Sequence, residues 1–264
     1  MEPEFLFWFA LTIKMVVTAL FVTLATVIAE RLGPTVGALV ATLPVSAGPV
    51  YVFLALDHDA AFISASAVAS LALNAITAIY VTVYVLLAQR RTMWVSVSLA
   101  FAVWLAAALV LGSVQWSAWW ACILNLVVFT LCFFIVEPFA FVPMPPTTRP
   151  WYDFVVRSSM VALLVAAVVL LSFRIGPTGT GVLAVFPVIY TSIMVILHHR
   201  VGGPATAAVL ANAIPGLAGF GAALLTLHLT AVSLGIVAAL FLGLGVSVVW
   251  NAAVFATRRH QARA

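Results

Sequence analysis

Arg31-Leu-Gly-Pro-Thr35 leads through Ala41 to Pro44-Val45, and the same run returns as Arg174-Ile-Gly-Pro-Thr178, leading through Ala184 to Pro187-Val188. One constant offset relates Arg31 to Arg174, Gly33 to Gly176, Pro34 to Pro177, Thr35 to Thr178 and Pro44 to Pro187. Carried backwards, it lays Lys14 on Arg157, and Ala19, Leu20 and Val22 on Ala162, Leu163 and Val165. Ungapped matching of this kind marks a duplicated unit. Each copy reads as a helix end, a Gly-Pro-Thr turn, and an apolar helix interrupted by proline near its middle.

The composition says where such a unit lives. Of 264 residues 66% are hydrophobic and 7% charged, with a mean hydropathy of +1.26. A soluble domain carries roughly 25% charged residues because its exterior must be solvated. This chain cannot cover a water-facing surface and is expected to be an integral membrane protein. Its longest polar stretch is the Glu137–Asp153 connection, too short for a soluble domain. Cys122 and Cys132 share one apolar run and read as packing residues. Met1-Glu-Pro-Glu-Phe5 lacks the basic start and cleavage site of a secretory signal, so the first helix is expected to be retained. The net charge of +4 reflects arginines at helix ends and does not point to nucleic acid.

A spanning helix needs about 20 mostly apolar residues. Breaks at charges and turns give nine candidate segments: 5–29, 33–56, 60–88, 93–112, 116–136, 151–173, 177–197, 204–227 and 230–256. With the amino terminus outside, Arg31, Arg90, Arg91, Arg149, Arg200, Arg258, Arg259 and Arg263 fall on the cytoplasmic side and only Arg174 outside. That asymmetry fits the positive-inside rule. Making the second and seventh segments re-entrant instead would destroy it. The two copies begin five crossings apart, an odd number, so they are expected to be inserted upside down relative to one another. The predicted fold is therefore all-α and polytopic, with two inverted four-helix repeats (1–112 and 149–264) joined by a linking helix and loop (113–148). Trp116, Trp119 and Trp120 at one boundary, and Trp94, Trp151, Tyr152 and Trp250 at the other, suit the interfacial belts. Trp104, in mid-helix, does not.

Pro44 and Pro187 each remove a backbone bond about ten residues into the broken segments, roughly 15 Å along the axis. Carbonyls freed there need partners. Thr42 and Ser46 flank the first break, and Tyr190, Thr191 and Ser192 follow the second, so a polar site is expected between the second and seventh segments. Lys14, the only lysine, and its repeat mate Arg157 lie inside helices, where a charge costs on the order of 2.5–3.5 kcal/mol. They read either as groups that hold an anion or gate the two faces, or as long side chains snorkelling to the headgroups. Among the intrahelical asparagines Asn74, Asn125, Asn212 and Asn251, Asn212 is the best binding candidate because Ile214-Pro215-Gly216 follows and invites a break. The others read as interhelical ties. No carboxylate lies deep in a segment, which weighs against obvious cation antiport. Nucleotide loops, metal-ligand clusters and nucleophile–base pairs are missing too, so neither enzymatic activity nor any cofactor or metal is expected.

Gly181-Val-Leu-Ala-Val-Phe-Pro-Val188 and Gly37-Ala-Leu-Val-Ala-Thr-Leu-Pro44 resemble the core of small GlpM-like bacterial membrane proteins, which are about one repeat long. The resemblance implies a fused version of a unit that elsewhere pairs with itself. In general plan the chain is also similar to bile-acid-symporter-like carriers, although the breaks fall elsewhere and their sodium-site acids are missing. The expected function is secondary transport of a small anionic organic solute by alternating access in a bacterial inner membrane, amino terminus outside and carboxyl terminus cytoplasmic. The expected partners are the lipid bilayer, a small-molecule or lipid-like solute, and other copies of the chain in a homo-oligomer. The alternative is a non-transporting inner-membrane scaffold or accessory protein of envelope-polymer assembly. A cavity reaching the midplane beside Ser46 and Thr191 would favour the carrier, and solid packing there the scaffold.

Overall fold

The structure, a computed structural model, describes residues 3–31, 46–142 and 152–261. Over these residues the chain is helical: α1 (Pro3–Arg31), α2 (Ala47–Asp57), α3 (Ala60–Leu87), α4 (Met93–Gly112), α5 (Ala118–Val136), α6 (Tyr152–Ala184), α7 (Val188–Val201), α8 (Gly203–Ala211), α9 (Ile214–Leu234) and α10 (Ile236–Gln261), with one 3₁₀ turn at Glu137–Phe139. Seven helical stretches among them are long and apolar enough to cross a membrane. Many of their large apolar side chains face outward, including Leu109, Trp119, Leu126 and Phe241. Such a surface is stable against lipid and not against water. The chain is built as a multi-pass helical membrane protein.

The second copy of the repeated unit has the predicted shape. The first part of α6 runs to Ile175, and Gly176 then turns the backbone at φ 66° and ψ −177°. Only glycine adopts that conformation without strain. Pro177, which has no amide hydrogen to lose, opens a short second part ending at Ala184. Pro187 breaks the segment again. It offers Leu183 no N–H, and the amide of Phe186 takes that carbonyl instead at 3.1 Å before α7 starts. The seventh segment, 177–197, is thus interrupted at Pro187 as expected, its two parts belonging to separate helices. In the first copy, residues 33–45, with Thr42 and Pro44, lie outside the described residues. Helix α2 comes next in the chain, eleven residues long and beginning after Ser46.

The eighth segment is also divided, as Ile214-Pro215-Gly216 suggested. Helix α8 ends at Ala211, Asn212 caps it, and α9 begins at Ile214. Helix α9 runs on to Leu234, so the ninth segment starts at Ile236 and not near residue 230. The offset read from the sequence reappears in these boundaries. Helix α8 starts at the position equivalent to the start of α3, and α10 at the position equivalent to the start of α4.

Helix α3 is the centre of the bundle. In its apolar window 78% of residues are buried, against 22% for the corresponding windows of α4, α5 and α10. It packs on α4, α5, α6, α8 and α9. Hydrogen bonds fix the directions of its neighbours. Ser64 meets His228 Nδ1 at 2.8 Å, while Asn74 donates to the Leu217 carbonyl at 3.0 Å, so α3 and α9 run antiparallel. Helices α1 and α6 do the same. Thr23 meets Ser158 at one end of the pair, and at the other Lys14 and Ser172 both reach the α2–α3 corner at Asp57-His58.

Candidate functional site

Three elements converge on one serine. Ser70, fully buried on α3, donates to the Gly181 carbonyl at 2.7 Å, and the Tyr51 hydroxyl lies 2.7 Å from the same oxygen. With its own hydrogen committed to Gly181, Ser70 accepts from Tyr51. Tyr51 belongs to α2 and Gly181 to the short part of α6, so elements from the second and seventh segments are joined through α3. The approach is close. A Cβ on Gly181 would lie 2.2 Å from the Ser66 carbonyl. Ser66 itself is fully buried, and its hydroxyl has no hydrogen-bond partner among the described residues.

Two ion pairs stand at opposite ends of this assembly. Lys14 on α1 binds Asp57 at the end of α2, both side chains mostly buried. Arg200 at the end of α7 donates to Asp153 at the start of α6 at 2.7 Å. By the repeat offset Asp57 is equivalent to Arg200, and Lys14 to Arg157, one turn along α6 from Asp153. The same helix-to-helix link is thus made twice with the signs exchanged. Asp153 and Ser172, whose hydroxyl meets His58 beside Asp57, both lie on the unbroken part of α6. Their separation is roughly 28 Å at 1.5 Å per residue, close to the hydrocarbon thickness of a bilayer. His58 stacks on Phe62 and leans on Phe173. Burial holds its pKa below the ordinary histidine value, reinforced by Lys14 and opposed by Asp57 and Asp59.

A groove of about 800 Å³ opens beside α2. Its walls are one face of α1 (Val17, Thr18, Phe21), α2 from Ala47 to Leu56, and residues of α9 and α10 including Ala223, Leu227, Leu240 and Leu244. The Lys14–Asp57 pair lies just beyond one end, since Lys14 continues the Val17–Phe21 face by a turn and Asp57 follows Leu56. Two side chains in the lining carry hydroxyls, and both are committed: Thr18 to the Lys14 carbonyl and Tyr51 to Ser70.

The equivalent place in the other half is filled. Gly48, Ala55, Ala223, Leu227 and Leu244 of the groove correspond to Thr191, His198, Tyr80, Tyr84 and Phe101. Tyr80 bonds Thr191 at 2.8 Å, Tyr84 bonds His198 at 2.7 Å, and Phe101 packs edge-on to Phe186. Trp104, the tryptophan that fitted no belt, closes on Phe186 as well.

The residues singled out from the sequence therefore lie in several places. Lys14 is at one end, and Arg157 is toward the other, so the two do not share one small anion. Ser46 precedes α2 and is half-buried. Pro187 caps α7, Tyr190 is half-buried, and the Thr191 and Ser192 hydroxyls donate to the carbonyls of Pro187 and Ile189. Asn212 donates to Ala140 and Ala208 carbonyls, tying the α8–α9 corner to the 3₁₀ turn. Thr42 and Pro44 lie outside the described residues. Sequence reading passed over Ser66, Ser70, Tyr80 and Tyr84, although small polar residues every three or four positions along one apolar helix were the available signal. Set beside family models, curated proteins and solved structures, the chain matches none.

Proposed function

We propose that the chain is a secondary carrier built from two inverted four-helix repeats joined by α5, moving an anionic organic solute by alternating access. The observation that carries this reading is the junction at Ser70, where α2 of the first copy meets the short part of α6, beyond the Gly176 turn, in the bundle interior. Transporters of this plan bind solute where broken helices from inverted repeats come together. The antiparallel courses of α1 against α6 and α3 against α9 support the inversion. The two ion pairs, roughly a membrane thickness apart, suit the role of gates. The membrane is a bacterial inner membrane, with the amino terminus outside. Uptake of carboxylate and phosphate solutes into proteoliposomes tests the proposal. Pro44→Ala combined with Pro187→Ala is expected to cut the rate about tenfold or more, equivalent to about 1.4 kcal/mol or more on the barrier. Unchanged uptake in that variant would defeat the reading.

The second reading, a non-transporting scaffold of envelope-polymer assembly, is favoured by a different observation. Around Thr191 the tyrosines fill the space and the hydroxyls are satisfied within the protein. A scaffold would show no uptake of any solute in liposomes while keeping its fold.

A further inference from the structure

We propose that the groove beside α2 is a specific site for one hydrocarbon chain of an amphiphile whose anionic head, a phosphate or a carboxylate, engages Lys14. This rests on the carrier reading only in naming the substrate class; the site itself stands on its own geometry. With both hydroxyls of the lining committed, a water inside would lack the two to four polar partners that hold buried water. A hydrocarbon chain loses nothing there. Along α2 the groove runs from Leu56 to Ala47, roughly 14 Å at helical rise, or about half the hydrocarbon thickness. A groove of that length takes much of one lipid acyl chain.

Small residues keep it open. A Cβ on Gly48 would meet nothing within 4 Å among the described residues, and Ala55 and Ala223 face the same space. At its end stands the cation Lys14, held by Asp57. An incoming anionic head competes with Asp57 for the ammonium, so the two partners have opposite effects on binding. Removing Asp57 frees Lys14 for the head, and removing Lys14 leaves the head facing an acid.

The test is photolabelling in nanodiscs of neutral phosphatidylcholine. The probes are a fatty acid and a phosphatidic acid, each bearing a diazirine on its chain, and labelled peptides are mapped. Labelling is expected to concentrate on α2 and α10 and to be competed by unlabelled probe. Gly48→Leu is expected to abolish it, as is Leu240→Trp on the facing wall should the first variant be unstable. Asp57→Asn is expected to tighten binding about tenfold, and Lys14→Gln to weaken it about tenfold, the scale of one charge-assisted hydrogen bond. A preference for one probe tells a phosphate head from a carboxylate. Labelling spread evenly over the outward faces, or indifferent to filling the groove, overturns the site. Labelling in the groove that ignores both charge variants overturns the anionic class. If labelling follows every expectation while liposomes take up neither amphiphile, the site stands and the carrier reading falls.

Discussion

The flank around α2 and the flank around α7 occupy equivalent positions in the two copies, yet among the described residues one is open and the other sealed. Four substitutions at fixed offset account for most of the difference: Gly48 for Thr191, Ala55 for His198, Ala223 for Tyr80 and Leu227 for Tyr84. Where two tyrosines reach across to a threonine and a histidine, the helices are tied. Where their counterparts are small or purely apolar, a groove remains. The asymmetry is thus written into side chains and is not simply one of two shapes open to a symmetric pair of repeats. In a carrier, the ties on the α7 flank would have to break and re-form, and hydrogen bonds worth about 1 kcal/mol each suit that use.

The largest effect should separate the tight contacts from the open one. Gly203→Ala places a Cβ 2.0 Å from the Ala88 carbonyl, a backbone atom that cannot step aside. A loss of about 3 kcal/mol is expected, as for an overpacked contact. Gly48→Ala, on the groove, should instead gain up to about 1 kcal/mol from helix propensity. Thermal unfolding in detergent compares them, and equal losses would erase the contrast between the flanks.

The ion pairs come next. Breaking either one by Lys14→Gln or Arg200→Gln leaves a mostly buried carboxylate behind, at an expected cost of about 2 kcal/mol. Adding Asp57→Asn or Asp153→Asn, respectively, should recover part of that loss. Double-mutant cycles that give similar coupling at both ends would show one link conserved through a change of sign. Coupling near zero at either end would show that this end is not tied.

Tyr80→Phe and Tyr84→Phe should each cost about 1 kcal/mol, because Thr191 and His198 lose a partner in a part-buried place. Additive losses would mark two separate ties. A coupled loss would mean that the α7 flank opens as a unit.

The smallest effect is on pH and belongs to the Lys14 end. His58 is held below its ordinary pKa chiefly by burial. Its contribution is therefore complete above the unfolded value of about 6.5 and is lost as pH falls through the lower folded value. The melting temperature should decline between about pH 7 and pH 5, with a shallower slope in His58→Gln. An unaltered slope would remove His58 from the account.

The sequence revealed the membrane class and the breaks of the second copy, because charge content and proline or glycine act locally. Gly176, Pro187 and the Asn212-to-Pro215 corner each interrupt a helix where their chemistry requires it. It did not reveal α3 as the central helix. In a bilayer a lipid-facing helix and a buried one are both apolar, so hydropathy loses the inside–outside contrast that it has in water. The line of Ser64, Ser66, Ser70, Asn74 and Thr77 carried the information, and Ser70 turned out to join α2 to the short part of α6. Asp57 falls between the segments read as 33–56 and 60–88, and spacing along the chain cannot express its pairing with Lys14 on another helix. The relevance of Tyr80 and Tyr84 emerged only when each was set against its counterpart in the other copy.

The uneven division of interior polar groups between the two copies has a consequence for how the halves could ever live apart. The hydroxyl and amide groups that stitch the interior together, from Ser64 to Asn74, sit on α3, while α8, α9 and the corner between them offer Ala207, Leu217 and Ala213 at the matching places. Two first halves would confront each other with surplus polar groups, and two second halves with too few. Lock and key have been divided between them, so severed halves should reunite only as a mixed couple.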